Sequence, residues 1–271
     1  VAVRIPLYQL DAFTAKPFGG NPAAVCPLES WLPDAMMQAI AAENNLAETA
    51  FFVPENGGFR LRWFTPVSEV KLCGHATLAT AHVILNRLDT ARDRVCFHTL
   101  SGALEVERDG DRLVLDFPAL PVTKEYDPAL VADAIGMLPV ELWEADRGMA
   151  VLERPEQVRD LTPKFERIAA LPLDTLIVTA PGFDGDCDFV SRFFAPQYGI
   201  PEDPATGSAH CVLTPYWSRV LGKTKMFARQ LSARGAELWV ESRGDRVRLT
   251  GHCVPVIEGS FEVPGLPREG R

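Results

Sequence analysis

Arg62-Trp63-Phe64-Thr65-Pro66 runs on to Gly74-His75-Ala76-Thr77, and Arg192-Phe193-Phe194-Ala195-Pro196 runs on to Asp203-Pro204-Ala205-Thr206-Gly207-Ser208-Ala209. The chain says the same phrase twice. Each copy is an arginine-anchored apolar strand, a proline-closed loop and a small polar turn that opens a stretch of helical character. Such a turn presents backbone N–H groups with no partner inside the helix, at the positive end of its dipole. Two of them facing each other form a clamp for a carboxylate or phosphate. The repeat therefore predicts two similar halves with a ligand between them.

The rest of the chain repeats the same grammar. Val3 to Val25 reads as a strand, a turn at Phe18-Gly19-Gly20-Asn21-Pro22 and a second strand. Met36, Met37, Ile40 and Ala41 recur at helical spacing within 33–43, and Asn44-Asn45 supply the stop before the β-rich run Thr49 to Val53. Glu48 thus falls at a helix-to-strand junction. Strands are predicted at 59–64, 95–106 and 112–117 around a helix at 77–88. In the second half they are expected near 143–152, 175–178, 189–194, 238–240 and 247–250, with helices at 163–170 and after Ser208. The fold class expected is α+β, in two halves, each a curled, mostly antiparallel sheet wrapped around a central helix. The Pro-flanked stretch Pro118 to Pro121 marks the boundary, giving a first domain of 1–118 with 259–271 and a second of 119–258.

A chain of 271 residues, 47% of them hydrophobic, can bury a core near the size at which one core divides into two. A net charge of −9 without any Lys/Arg run argues against nucleic acid or an anionic membrane as the partner. A small solute is the better match. Val1 to Asp11 reads as a strand and not as a charged-then-apolar leader, and no apolar run approaches the ~20 residues that span a bilayer. A cytoplasmic location is expected. Six cysteines scattered over this length read as reduced thiols.

Glu48 is the first candidate for chemistry, because Leu46, Ala47, Ala50, Phe51 and Phe52 around it would desolvate its carboxyl and raise its pKa. The plain alternative is a half-exposed glutamate at a strand start. Gly74-His75 offers an amide at a helix start and an imidazole able to give or take a proton. Asp203, Thr206, Gly207 and Ser208 place a carboxylate, hydroxyls and free amides on one turn, which by itself is also an ordinary N-capped helix. Cys73 stands at the mouth of a predicted helix, where the dipole would favour a thiolate, while the usual fate of a free cysteine is burial. His210-Cys211 with His252-Cys253 lacks the spacing of structural zinc sites, and Asp184-x-Asp186-x-Asp188 lacks the glycine and terminal glutamate of a calcium loop. No metal is assigned. No phosphate-cradling glycine motif occurs, so no nucleotide cofactor is expected.

Taken together, Asp11-Ala-Phe-Thr-x-x-Pro-Phe-x-Gly-Asn-Pro-x-Ala-Val25, Asn45-Leu-x-Glu-Thr49, Phe64-Thr-Pro66, Cys73-Gly-His-Ala-Thr77, Glu202-Asp-Pro-Ala-Thr-Gly-Ser-Ala209 and Gln230-Leu-Ser-x-Arg-Gly235 resemble the phenazine-biosynthesis PhzF-like proteins. That family is related in fold to diaminopimelate epimerase. The resemblance implies two pseudo-symmetric domains, an active site in the cleft between them, no metal or organic cofactor, and a homodimer. It also implies isomerisation of a small carboxylate-bearing metabolite, with Glu48 as acid/base, and His75 and Asp203 orienting the substrate or assisting the transfer. Gly74, His75, Asp203, Gly207 and Ser208 match substrate-holding positions, with Asn21, Cys73 and Thr206 beside them. Ala76 and Ala236 depart from residues common in the family. Diaminopimelate epimerase uses two thiols, and here Cys73 is matched by Thr206, so that pair is broken. Two other readings stand beside the isomerase: a Cys73-dependent amino-acid racemase, and a non-catalytic small-anion-binding protein on the same fold.

Overall fold

The computed structural model describes residues 3–145 and 147–263. The part of the expected first domain at 264–271 lies outside them. The first half holds strands β1 (Val3–Ala12), β2 (Asn21–Pro27), β3 (Glu48–Glu55), β4 (Gly58–Phe64), β5 (Glu69–Val70), β6 (Arg94–Thr99), β7 (Gly102–Asp109) and β8 (Arg112–Pro118), with helices α1 (Asp34–Asn44) and α2 (Gly74–Val83). The second holds β9 (Lys124–Tyr126), β10 (Glu141–Glu144), β11 (Gly148–Val151), β12 (Leu176–Pro181), β13 (Phe189–Ala195), β14 (Ile200–Asp203), β15 (Lys225–Gln230), β16 (Ala236–Arg243) and β17 (Arg246–Gly251). Its helices are α3 (Ala129–Ile135), α4 (Pro155–Arg159), α5 (Phe165–Ala169) and α6 (Gly207–Leu221). The last strand, β18 (Cys253–Val263), returns to the first half and pairs antiparallel with β1 along its length.

The pairings repeat. Thr49 faces Phe64 as Leu176 faces Phe194, Phe97 faces Leu104 as Ala228 faces Leu238, and Val106 faces Leu115 as Val240 faces Leu249. Strands β8 and β17 then pair with each other, placing Leu115 opposite Leu249. These two leucines are counterparts, so the pseudo-twofold axis passes between them. The α+β architecture of pseudo-symmetric curled sheets is thus present. Its two halves share one apolar core, in which Leu78 and Ala79 of α2 and Val212 and Leu213 of α6 are buried with Leu115 and Leu249. Smaller clusters hold α1 against β3, and α3, α4 and α5 against the outer face of the second sheet.

Each copy of the repeated phrase is closed by a clip. Arg62 donates two hydrogen bonds of 2.7 Å to Glu69 and Arg192 two of 2.7 and 2.8 Å to Glu202. Each guanidinium also lies 5.1 Å from a phenylalanine ring on its own strand, Phe64 or Phe194. The forked, planar cation suits a paired carboxylate and an aromatic face at once. These clips fix the hairpins that lead into α2 and α6.

Three local expectations differ. The run 95–106 is a hairpin, not one strand, because Gly102 takes φ +93° and turns the chain after Thr99. Helix α2 begins at Gly74 and not at Thr77, since Cys73 is extended and the following three residues are already helical. Its expected end at Leu88 is a π-turn over Ile84–Leu88, closed by the Asp89 amide on the Ile84 carbonyl at 2.7 Å. The helix expected at 163–170 shrinks to five residues, Phe165–Ala169. Among the described residues no helix is long and apolar enough to cross a membrane.

Candidate active site

Helices α2 and α6 start against each other at the axis. A methyl group on either Gly74 or Gly207 would come within 3.5 Å of the other's Cα. Both preceding residues, Cys73 and Thr206, are extended, and neither side chain caps its own helix. The amides of Gly74 and Gly207, which helix geometry leaves without intrahelical acceptors, stand at the cavity to meet a ligand. A cavity of about 460 Å³ opens over them, lined by Glu48, Cys73, Gly74, His75, Asp203, Thr206, Gly207 and Ser208 beneath an apolar mouth that includes Val70, Leu72, Phe193 and Ile200.

Asn21 lies behind this wall, fully buried, and ties the halves together. Its side-chain nitrogen donates to Asp203 Oδ1 at 2.8 Å and to the Ala205 carbonyl at 3.0 Å, and lies 3.2 Å from His75 Nδ1. The preceding Gly20 has φ +55° and its Cα abuts the Ala12 carbonyl, so no side chain fits there. His75 Nδ1 lies against the Asn21 amide nitrogen and, at 3.5 Å, the Cys73 sulfur; in the tautomer in which Nδ1 accepts, Nε2 carries the proton. That nitrogen sits 3.2 Å from Glu48 Oε2, off the line a hydrogen bond needs, and neither atom has a hydrogen-bond partner among the described residues. Buried polar atoms left open in this way are what a ligand would complete.

Burial sets the electrostatics. It raises the Glu48 carboxyl to about 8, with the nearby Asp203 charge adding to the shift, and it raises Asp203 to about 6. It lowers His75 to about 3, so the imidazole is neutral. Cys73 meets the usual fate of a free cysteine, burial, and is not a dipole-favoured thiolate: burial and the carboxyl of Glu48 push its thiol well above the ordinary value. Glu48, Cys73 and His75 place an oxygen, a sulfur and a nitrogen within 4.8 Å of one another, close enough for one ion, but a thiol held neutral is a poor ligand.

A group whose folded pKa is raised favours folding fully below its unfolded value, and the contribution is lost as pH rises through the folded value. For Glu48 that window runs from 4.5 to about 8. Glu48→Gln, which cannot ionise, is therefore expected to be more stable than the native protein at pH 8, by on the order of 3 kcal/mol, with the gap closing toward pH 5. Thermal unfolding at the two pH values checks this.

Three contributors escaped the sequence reading. Arg147 donates to Ser208 Oγ at 2.9 Å, lies over the Phe193 ring at 5.5 Å, and its charge favours ionisation of Asp203. Gln230 accepts from the Thr206 amide at 2.8 Å and donates to the Asp203 carbonyl at 2.7 Å, fixing the acidic turn while Thr206 Oγ1 donates to Asp203 Oδ2. Thr175 also lines the cavity. Gln230 stood inside a quoted motif, so a signal existed for it; the other two are brought in only by strand pairing. The groups set aside earlier serve elsewhere: His210 Nδ1 lies 2.8 Å from the Thr206 carbonyl, His252 lies 3.2 Å from Asp111, and Asp186 and Asp188 bond Arg229 and Lys223.

Residues 10–259 match the family described as "Phenazine biosynthesis-like protein". The chain belongs to the phenazine biosynthesis-like family. A relative from Pseudomonas aeruginosa, named an uncharacterized isomerase, is 49% identical over 96% of this chain and 100% of its own. The crystal structure of a PhzF-family phenazine biosynthesis protein from Enterococcus faecalis is 42% identical, covers 96% of this chain and 100% of its own, and superposes with a TM-score of 0.91. At 9% identity, a hydroxyproline epimerase from Agrobacterium vitis shares the fold, with a TM-score of 0.61 over 96% of this chain and 93% of its own. Within the phenazine biosynthesis-like family, then, this chain places Glu48 at the cleft, and its second turn has Thr206 where the first has Cys73.

Proposed function

We propose that this protein is a cofactor-independent isomerase or epimerase that moves a proton on a small carboxylate-bearing metabolite. The observation that carries the reading is the position of Glu48: a carboxyl raised to about 8, facing a cavity floored by two helix starts and flanked by a neutral imidazole. The amides of Gly74 and Gly207 would hold the substrate carboxylate and take up the charge that develops as a neighbouring carbon loses its proton. Glu48, with its two protonation states close in energy near neutral pH, takes that proton and returns it elsewhere. The His75 Nε2–H hydrogen-bonds the substrate or the carboxyl between the two steps. Asp203, held by Asn21 and Thr206, orients the other end of the substrate.

The isomerase name of the Pseudomonas aeruginosa relative supports this at the level of reaction type. A Cys73-dependent racemase is the weaker reading, because its thiol is held protonated and Thr206 offers no second thiol. The test is deuterium incorporation from D₂O into a panel of small carboxylic acids bearing an activated C–H. Incorporation by the native protein and by Cys73→Ala alike supports a glutamate shuttle. Loss of exchange in Cys73→Ala would transfer the chemistry to the thiol.

A further inference from the structure

The register that equates Arg62 with Arg192 also pairs Thr49 with Leu176, since each faces the counterpart phenylalanine, Phe64 or Phe194. One residue earlier, Glu48 and Thr175 are therefore counterparts across the pseudo-twofold axis. Thr175 is 7% exposed and lines the same cavity. Its carbonyl accepts the Gly148 amide at 2.9 Å, which pins the backbone, while its hydroxyl is buried with no hydrogen-bond partner among the described residues. A buried hydroxyl left unmatched is unfavourable, and a ligand oxygen in the cleft would relieve it.

We propose that Thr175 is a specificity-determining residue whose hydroxyl donates a hydrogen bond to an oxygen of the bound carboxylate compound, from the side of the cleft opposite Glu48. This rests on the reading that the cleft binds such a compound. The symmetry gives the proposal its chemical content. A threonine cannot take a proton from carbon, so of this counterpart pair only Glu48 serves as acid/base, while Thr175 supplies a hydrogen bond from the other side. The hydroxyl holds the substrate with one face toward Glu48, and the proton leaves one carbon and returns to another on that face, which shifts a double bond and does not invert a carbon.

Benzoate is a suitable probe, because it joins a carboxylate for the helix starts to an apolar body for Val70, Leu72, Phe193 and Ile200. Its binding is measured calorimetrically with native protein, Thr175→Val, Thr175→Ala, Thr175→Ser and Glu48→Gln. Loss of a hydrogen bond to a charged group weakens binding by about tenfold or more, so Thr175→Val and Thr175→Ala bind benzoate at least about tenfold more weakly without loss of thermal stability. Thr175→Ser, which keeps the hydroxyl, stays within about threefold of native. Native-like affinity in Thr175→Val or Thr175→Ala, or no saturable benzoate binding by the native protein, overturns the proposal. The proton shuttle fails separately: deuterium exchange surviving in Glu48→Gln would refute it while leaving the dependence of benzoate affinity on Thr175 intact.

Discussion

Glu48→Gln is expected to abolish deuterium exchange, with a loss of at least about a thousandfold. General acid–base catalysis by one positioned group contributes roughly 10²–10⁴, and here one carboxyl performs both halves of the transfer. The amide of glutamine keeps the size and the hydrogen-bonding reach of the side chain, so the variant keeps its fold and its affinity for a carboxylate. The raised pH-stability profile described above provides the control: a variant that is inactive and yet more stable at pH 8 has lost chemistry, not structure. Exchange within tenfold of native in Glu48→Gln would move the base to another residue. His75→Asn should act differently, because the imidazole is neutral and its loss leaves Glu48 in place without its neighbour.

The second large effect concerns the clips. Arg192 is 9% exposed and, besides its two bonds to Glu202, donates to the Leu161 carbonyl at 2.7 Å. Removing it strands a largely buried carboxylate and an unsatisfied carbonyl, so Arg192→Ala is expected to cost about 3–5 kcal/mol of stability. Arg62 is the same device in a wetter place: the Glu69 side chain is 27% exposed and its second partner, Asp34, is 75% exposed. Arg62→Ala should cost only about 1–2 kcal/mol, since water can replace part of what is lost. Urea unfolding of both variants tests the ordering. Equal losses would mean that burial does not set the strength of the clip. The apolar pair Arg192→Met/Glu202→Leu should recover most of the stability, because it leaves no charge without a partner. Asp203 follows Glu202 directly, so the single variant should disturb the cleft as well as the fold.

These residues show what could be read in the chain and what could not. The repeated phrase foretold the pseudo-symmetric sheets and the apposed helix starts, because strand, turn and helix start are local patterns. Glu48, His75 and Asp203 were legible as a set from their motifs, and the structure lines one cavity with all three. Asn21 was placed near the cleft, but its hold on both His75 and Asp203 depends on contacts 54 and 182 residues apart. Arg147 and Thr175 carry no local signature; the parallel pairing of β11 and β12 brings Thr175 to the cavity wall and Arg147 to Ser208. The hairpin at 95–106 was missed although Ser101-Gly102 is a turn dipeptide and the buried positions change from 95 and 97 to 104 and 106; Gly102, at φ +93°, turns the chain. For Cys73 the helix dipole was the visible term, and burial outweighed it.

The return of β18 has one more consequence. Val3 lies opposite Val263, so the first and last described residues are neighbours in the sheet. If those ends were joined and the chain opened after Pro118, the order of strands would run from β9 to β17 and then from β18 through β1 to β8. Each member of the second series is the counterpart of the member in the same place in the first. In that circular order the strands form a tandem duplication, while the helices between them differ from one copy to the other.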